Sequence, residues 1–148
     1  MTPGFEMIFE LHLPPHLRAQ LTREARAAFP SECCGLIEGA REGAAVRATA
    51  LHPTRNLAVE PDRFEIDPSA HIRLLRALRG TGREIVGCYH SHPNGRAELS
   101  PRDRQSAGDE NFIWLIAALA ESEVTFAAFA CPKGGADAIS AIPLAPIV

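Results

Sequence analysis

The sequence predicts a single α/β domain in which a mixed β-sheet of about six to eight strands is flanked by about three helices. The chain has 148 residues, a length that suits one hydrophobic core and is short for two. Apolar residues make up 46% and charged residues 22% of it, as in an ordinary globular protein. Helical patterns alternate along the chain with short β-prone runs. We therefore expect one domain over residues 1–148.

The first half of the chain predicts an amphipathic helix between strands. Leu17, Leu21 and Ala25 recur at helical spacing, and Pro30 ends the pattern. Residue alternation and β-branched content predict strands on both sides of this helix. They lie at Phe5 to Leu13, at Glu32 to Ile37 with an end at Gly39, at Val46 to Leu51 closed by His52-Pro53, and at Arg63 to Ile66.

The second half begins with another helix and continues mainly as strands. Asp67-Pro68-Ser69 is typical of a helix start, and Gly80 marks the end of that helix. Ile72, Leu75 and Leu78 are expected to face the core. Further strands are predicted at Ile85 to His92, Phe112 to Ala118, Val124 to Ala130 and Ala138 to Leu144, with a helix from Pro101 to about Gly108 and a hairpin turn at Pro132 to Gly135.

Two histidines at the end of a predicted strand form the most informative pattern. Side chains two residues apart on a strand point to the same face, so His90 and His92 are expected to lie side by side. The turn residues Pro93-Asn94-Gly95 end the strand directly afterwards. Two imidazoles with a nearby carboxylate suit a divalent metal such as zinc, where three protein ligands leave a fourth position for water.

The carboxylate is expected to come from the next helix. Ser100 is a good N-cap, Pro101 suits the first helical position, and Asp103 lies in the first turn. Ser100 and Asp103 are then on one face of the helix. Taken singly, His92 could be a turn residue, and Ser100 with Asp103 could be only a capping pair. The combined spacing favours a metal site.

Charge and cysteine usage exclude several classes of partner. The net charge of −3 gives no general attraction to nucleic acid or to an anionic membrane. No apolar run is long enough to span a bilayer, and the N-terminus lacks the pattern of a secretory signal. Cys33, Cys34, Cys88 and Cys131 have no CxxC spacing. We expect reduced thiols that pack as small hydrophobic residues in a cytoplasmic protein.

Residues 90–103, HSHPNGRAELSPRD, match the H-x-H-x7-S-x2-D signature of the JAMM metalloproteases, the MPN-plus branch of the MPN domain family, which this chain resembles. Pro30 to Leu36 looks like the family's P-x-E-x-C-G-L segment, and Asn56 and Arg63 to Asp67 also fit. The resemblance covers nearly the whole chain and implies the cytidine-deaminase-like architecture of that family. The chain is similar to the free-standing prokaryotic members.

The resemblance also implies a role for each site residue. His90, His92 and Asp103 would bind one zinc ion per chain, with water as the fourth ligand. Glu32 would be the general base, and Ser100 would help to stabilise the oxyanion. All five positions agree with the family pattern, so a zinc metalloprotease is expected.

The implied substrate is a ubiquitin-like or sulfur-carrier protein, cleaved at the amide bond after its C-terminal Gly-Gly. Such a tail could add as a strand beside a sheet edge. Three alternatives remain: a metal-dependent hydrolase of another small amide, a non-catalytic MPN-type binding or scaffold module, and a relative of the RadC proteins, which usually read HNHPSG where this chain has HSHPNG. The residues do not identify the substrate-binding side chains or the oligomeric state.

Overall fold

A computed structural model describes residues 10–61, 63–106, 112–131 and 139–145 of the chain. These residues form one mixed sheet and three helices, which confirms the predicted fold class. The helices are α1 (Pro15–Ala28), α2 (Pro68–Leu78) and α3 (Pro101–Ser106). The strands are β1 (Glu10–His12), β2 (Cys34–Glu42), β3 (Ala45–Thr54), β4 (Glu84–His92), β5 (Ile113–Leu119), β6 (Val124–Ala130), β7 (Ser140–Ile142) and β8 (Leu144–Ala145).

The sheet has the order β7-β6-β5-β4-β2-β3-β1-β8. Strand β4 pairs with β5 in parallel and with β2 in antiparallel orientation, so its backbone is bonded on both sides. Strand β1 is parallel to both β3 and β8. The strand that carries the two histidines is therefore an interior strand, which gives its side chains a rigid support.

The C-terminal strand prediction was wrong in an informative way. Instead of one strand from Ala138 to Leu144, there are two strands, β7 and β8, separated by Pro143. They lie at opposite ends of the strand order, so the sheet must curl until its two ends are neighbours. Proline cannot donate to a ladder and separates the two strands, while its carbonyl accepts the N–H of Leu11 at 3.0 Å.

Helix α1 packs on one face of the sheet, as predicted. Leu17, Leu21 and Ala25 are buried in a core with apolar residues from β1, β2, β3, β4, β5 and β6. Each of these side chains is at most 2% exposed. Burial of a Leu side chain contributes about 1.5–3 kcal/mol, so this face anchors the helix.

Helix α2 covers the other face with a different phase from the predicted one. Asp67 caps it by accepting the N–H of Ser69 at 2.9 Å, as expected. Leu74 and Leu78 are buried, whereas Ile72 and Leu75 are 49% and 51% exposed. The prediction for Ile72 and Leu75 was wrong because a short stretch rich in apolar residues fits more than one helical stripe.

Three strand boundaries also differ from expectation. Strand β2 continues past Gly39 to Glu42, because the register with β3 shifts at a β-bulge between Glu38 and Gly39 and the pairing then resumes. Strand β3 continues past Pro53 to Thr54. The segment Arg63 to Ile66 is not a strand; it forms an isolated bridge between Asn56 and Ile66.

Some predicted features lie outside the described residues. These are the first part of the strand at Phe5 to Leu13, the end of the helix beyond Ser106, and the turn at Pro132 to Gly135. Among the helices of the described part, none has the length and apolar character needed to cross a bilayer.

A buried carboxylate stabilises the bulged region. Glu38 is 8% exposed and lies 2.9 Å from His52 Nε2, 3.1 Å from Thr49 Oγ1 and 2.7 Å from Arg83 Nε. Burial opposes its ionisation, but the hydrogen bonds from His52 and Thr49 and the charge of Arg83 prevail and lower the pKa of Glu38. The folded protein therefore favours the ionised carboxylate.

We expect Glu38→Gln to lower the free energy of unfolding at pH 7 by about 1–3 kcal/mol, because it replaces charge-assisted hydrogen bonds with neutral ones. A lowered folded-state pKa gives stability that is present above the ordinary value of 4.5 and is lost as the pH falls through the folded-state pKa. Urea titrations of both proteins between pH 3 and pH 7 measure this difference. A difference that stays constant over this range would contradict the role of the Glu38 charge.

Candidate active site

The two histidines lie side by side at the end of β4, as predicted. Their Nε2 atoms are 2.9 Å apart, and His90 and His92 are 0% and 5% exposed. His92 Nδ1 lies 2.9 Å from the carbonyl oxygen of Arg96. Because a carbonyl can only accept, Nδ1 must carry the proton of the neutral ring. This tautomer leaves the Nε2 lone pair of His92 facing the site.

Asp103 completes a triangle of donor atoms with these imidazoles. Its Oδ2 atom lies 3.2 Å from His90 Nε2 and 3.1 Å from His92 Nε2. The N–H of Ser100 donates to the same oxygen at 2.9 Å, and the N–H of Asp103 donates to Ser100 Oγ at 3.0 Å. The capping pair at the start of α3 thus fixes the carboxylate against the histidines. The capping and metal-site interpretations are both compatible with this geometry.

Glu32 is buried beside the histidines, just before β2 begins at Cys34. It is 6% exposed, and one of its carboxylate oxygens lies within 4.8 Å of a ring nitrogen of both His90 and His92. By distance alone, Glu32, His90 and His92 form a group that could hold a metal ion. Asp103 Oδ2 also lies within this distance of both ring nitrogens, so both carboxylates meet the distance condition, and the family resemblance implies Asp103 as the third ligand.

The donor set fits zinc. Ligands at 2.0–2.1 Å from a tetrahedral zinc ion are about 3.3–3.4 Å from one another. The observed triangle of Nε2, Nε2 and Oδ2 has sides of 2.9, 3.1 and 3.2 Å, so a small expansion would admit the ion. Two imidazoles and one carboxylate are also a typical ligand set of catalytic zinc sites, which keep one position open.

Electrostatics favour the ligand forms of His90 and Asp103. Burial lowers the pKa of His90, although Asp103 opposes this effect. Burial acts on His92 in the same direction, but its bonds to Asp103 and to the carbonyl of Arg96 prevail and raise its pKa. Burial disfavours the Asp103 carboxylate, yet hydrogen bonds from the imidazoles and from the Ser100 N–H hold its pKa well below the usual range. An ionised Asp103 and a neutral His90 are the forms that bind metals.

A cavity of about 320 Å³ opens beside the site. Ser100 and Asp103 line it, together with Phe64 and Trp114. The Phe64 ring stacks on His90, with centroids 4.1 Å apart and 16° between the planes, and meets Trp114 edge to face at 5.6 Å. Trp114 is buried, as predicted for a core residue. The cavity provides space for a substrate next to the candidate ligands.

Phe64 is the site residue that the sequence reasoning missed. Phe64 lies in the segment Arg63 to Asp67, which the sequence indicated only as a match to the family pattern. No regular spacing along the chain connects Phe64 to His90. The contact arises because the loop between β3 and α2 folds back over the end of β4. The stacked ring shields one face of the candidate ligand from water.

The adjacent cysteines pack as small hydrophobic residues, as expected. None of the four cysteines, all of which lie in the described residues, forms a disulfide. Burial raises the pKa of Cys33 to about 11 and also raises the pKa of Cys34. Because the thiolate is the metal-binding form, thiols that stay protonated at neutral pH are poor zinc ligands.

A family model described as prokaryotic homologs of the JAB domain matches residues 14–131. The chain is 38% identical over 88 residues to a Haloferax volcanii protein named desampylase, a match covering 59% of this chain and 62% of that protein. It is 38% identical over 91 residues to a Thermus thermophilus protein named probable TtuB-protein conjugate cleaving protease, covering 61% of this chain and 55% of that protein. The matched region thus spans somewhat more than half of the length of these relatives.

The solved structures include a similar fold. The solution structure of a protein from Desulfitobacterium hafniense superposes with a TM-score of 0.81 and 28% identity. The superposition covers 93% of this chain and 92% of that chain. The similarity therefore extends over almost the whole of both chains.

Proposed function

We propose, because the chain belongs to the family of prokaryotic homologs of the JAB domain, that it is a zinc-dependent isopeptidase. The substrate would be a ubiquitin-like or sulfur-carrier protein, hydrolysed at the amide bond after its C-terminal Gly-Gly, and residues 1–148 would act as a single catalytic domain. The observation that carries this proposal is the buried triangle of His90, His92 and Asp103 beside Glu32. The relatives named desampylase and probable TtuB-protein conjugate cleaving protease support this class of substrate.

In this proposal His90, His92 and Asp103 hold the zinc ion. Bound zinc would lower the pKa of a water molecule to about 7 and polarise the scissile carbonyl. Glu32 lies close enough to accept a proton from the attacking water and to return it to the leaving amine, a contribution of about 10²–10⁴-fold for such acid–base catalysis. Burial of Glu32 keeps bulk water from competing for this proton.

Ser100 would stabilise the developing negative charge. Its Oγ accepts the N–H of Asp103, so its own hydroxyl proton stays available to donate. It lines the cavity in which the substrate carbonyl would lie. Loss of one such donor typically lowers kcat by about 10²–10³-fold.

The cavity also suggests how a Gly-Gly tail would approach. Strands β2 and β4, which lead to the site, are interior strands. A tail that added as a strand, as expected from the sequence, could therefore not pair with either of them at the site. Instead it would enter between the Phe64 segment and the start of α3. Two glycines without side chains fit such a narrow approach.

The test is intact-mass analysis of a sulfur-carrier protein that bears a short extension after its Gly-Gly. We expect zinc-loaded protein to remove the extension, and the same protein treated with a chelator to leave it. Metal content, measured by mass spectrometry on the same samples, separates the alternatives. Cleavage of a short peptide as efficiently as the carrier protein would favour a hydrolase of small amides. Failure of the protein to retain any divalent metal would favour a binding or scaffold module.

A further inference from the structure

One peptide group beside the site is held at both ends by side chains from other segments. The carbonyl of Glu32 accepts Nδ2 of Asn56 at 2.9 Å, and the N–H of the following residue, Cys33, donates to Ser91 Oγ at 2.8 Å. Strand β2 begins only at Cys34, so the regular sheet ladder with β4 does not include this peptide. Its orientation therefore depends on the two side chains.

Asn56 uses its whole hydrogen-bonding capacity on backbone groups. Nδ2 donates to the carbonyls of Glu32 and Arg63, and Oδ1 accepts the N–H groups of Ala58 and Glu65, each at 2.9 Å. A primary amide has two donor hydrogens and two acceptor lone pairs, so all four positions are filled. Because all its donors and acceptors are bonded, the amide group of Asn56 is held in one orientation.

The contacts of Asn56 reach the candidate ligands through two routes. Arg63 and Glu65, which it bonds, flank Phe64, and Phe64 stacks on His90 at 4.1 Å. On the other side of the shared peptide, Ser91 lies between the two histidines in β4 and is fully buried. Its N–H also donates to the carbonyl of Cys33 at 3.1 Å. The peptide that carries Glu32 is thus fixed relative to the histidine strand and to the ring covering it.

We propose that Asn56 and Ser91 are positioning residues that clamp the Glu32 peptide and thereby hold the Glu32 carboxylate at proton-transfer distance from the site. This inference rests on the proposed function of Glu32. Misplacement of a reacting group by about 1 Å can lower a rate by about 10²-fold. The two side chains thus fix the orientation of a peptide that lies before the start of β2, outside the regular ladder of the sheet.

Asn56→Asp is the sharpest variant because it has the same shape. The aspartate side chain keeps an oxygen that accepts the N–H groups of Ala58 and Glu65. Its second oxygen replaces the Nδ2 amide group, so it cannot donate to the carbonyls of Glu32 and Arg63. We expect kcat to fall about 100-fold, with KM within about twofold and unchanged zinc content. Ser91→Ala, which removes one acceptor, should lower kcat by about tenfold.

Gln20→Glu is the matched control. Gln20 Nε2 also donates to a backbone carbonyl, that of Leu51 at 3.1 Å, but from α1. The change should lower the melting temperature and leave kcat unchanged. Similar losses of kcat in Asn56→Asp and Gln20→Glu would show a general effect of stability and would overturn the proposal.

A double-mutant cycle tests whether Asn56 acts through Glu32. In the Glu32→Gln background, Asn56→Asp should lower kcat no further, because residues that act as a unit are not additive. A second loss of about 100-fold in that background would mean that Asn56 affects another part of the site. That result would overturn the clamp.

Amide hydrogen exchange tests the clamp without a substrate. In metal-free Asn56→Asp, the amide of Cys33 should exchange about tenfold faster than in the wild type, while the amides of Val86 and Leu115 in the central strands stay protected. Unchanged exchange at Cys33 would overturn the clamp even if cleavage is observed. Faster exchange without any cleavage would retain the clamp and count against the proposed function.

Discussion

Replacing Glu32 with glutamine is expected to lower kcat by about 10²–10⁴-fold, the usual contribution of general acid–base catalysis, while zinc binding persists. Glutamine keeps the size and buried position of the side chain but cannot accept the proton. The triangle of His90, His92 and Asp103 does not include Glu32, so the ligand atoms remain in place. This separates proton transfer from metal binding.

His92→Ala provides the contrast. It removes the Nε2 atom that lies 2.9 Å from His90 Nε2 and 3.1 Å from Asp103 Oδ2, so both metal and activity should be lost. Zinc content by mass spectrometry and cleavage by intact mass, measured on the same preparations, decide the question. Equal metal loss in Glu32→Gln and His92→Ala would contradict this division of roles and would point to Glu32 as a ligand.

Gly35→Ala is expected to have the largest effect on stability. A Cβ atom at Gly35 would overlap the ring and hydroxyl of Tyr89 and the backbone carbonyl of His52. Tyr89 is fully buried and donates from its hydroxyl to Glu24 Oε1 at 2.6 Å, so its ring has no free space to move into. Overpacking of this kind costs about 3 kcal/mol or more when the backbone must shift.

Thermal unfolding followed by circular dichroism should show a decrease in melting temperature of about 6–12 °C for Gly35→Ala. Gly80→Ala is the control, since nothing lies within 4 Å of its added Cβ and only its φ of +80° opposes the change. That strain costs about 1 kcal/mol. A Gly35 variant no less stable than the Gly80 variant would refute the close packing of Tyr89.

The glycine in the segment that resembles the family's P-x-E-x-C-G-L motif therefore has a structural explanation. Gly35 allows β2 to pass close to the Tyr89 ring, and Glu32 lies three residues before Gly35, just ahead of β2. The same strand that requires a glycine for packing thus delivers Glu32 to the end of β4. The motif thus combines a packing requirement at Gly35 with the proposed chemical role of Glu32.

Local spacing explains why the histidine and aspartate positions could be predicted. His90 and His92 are two residues apart on one strand, and Ser100 with Asp103 spans one helical turn, so short-range geometry fixes both pairs. Their convergence needed only a turn between the strand and the helix. The roles assigned to these residues remain predictions until metal binding and catalysis are measured.

The features that sequence reasoning missed depend on long-range contacts. The stacking of Phe64 on His90 joins a loop to a strand, and the exposure of Ile72 and Leu75 depends on which stripe of α2 meets the sheet. The four bonds of Asn56 connect three separate segments. None of these arrangements has a fixed spacing in the sequence, because they are set by packing between distant elements.

The short link at Pro143 has a consequence for the behaviour of the protein in solution. Unpaired strand edges are templates on which other chains can add and aggregate. In the described part of the chain, the outermost strands are only Ser140–Ile142 and Leu144–Ala145, and the one proline between them keeps the two edges together. Within the described residues, the two end strands therefore offer only short edges on which another chain could add.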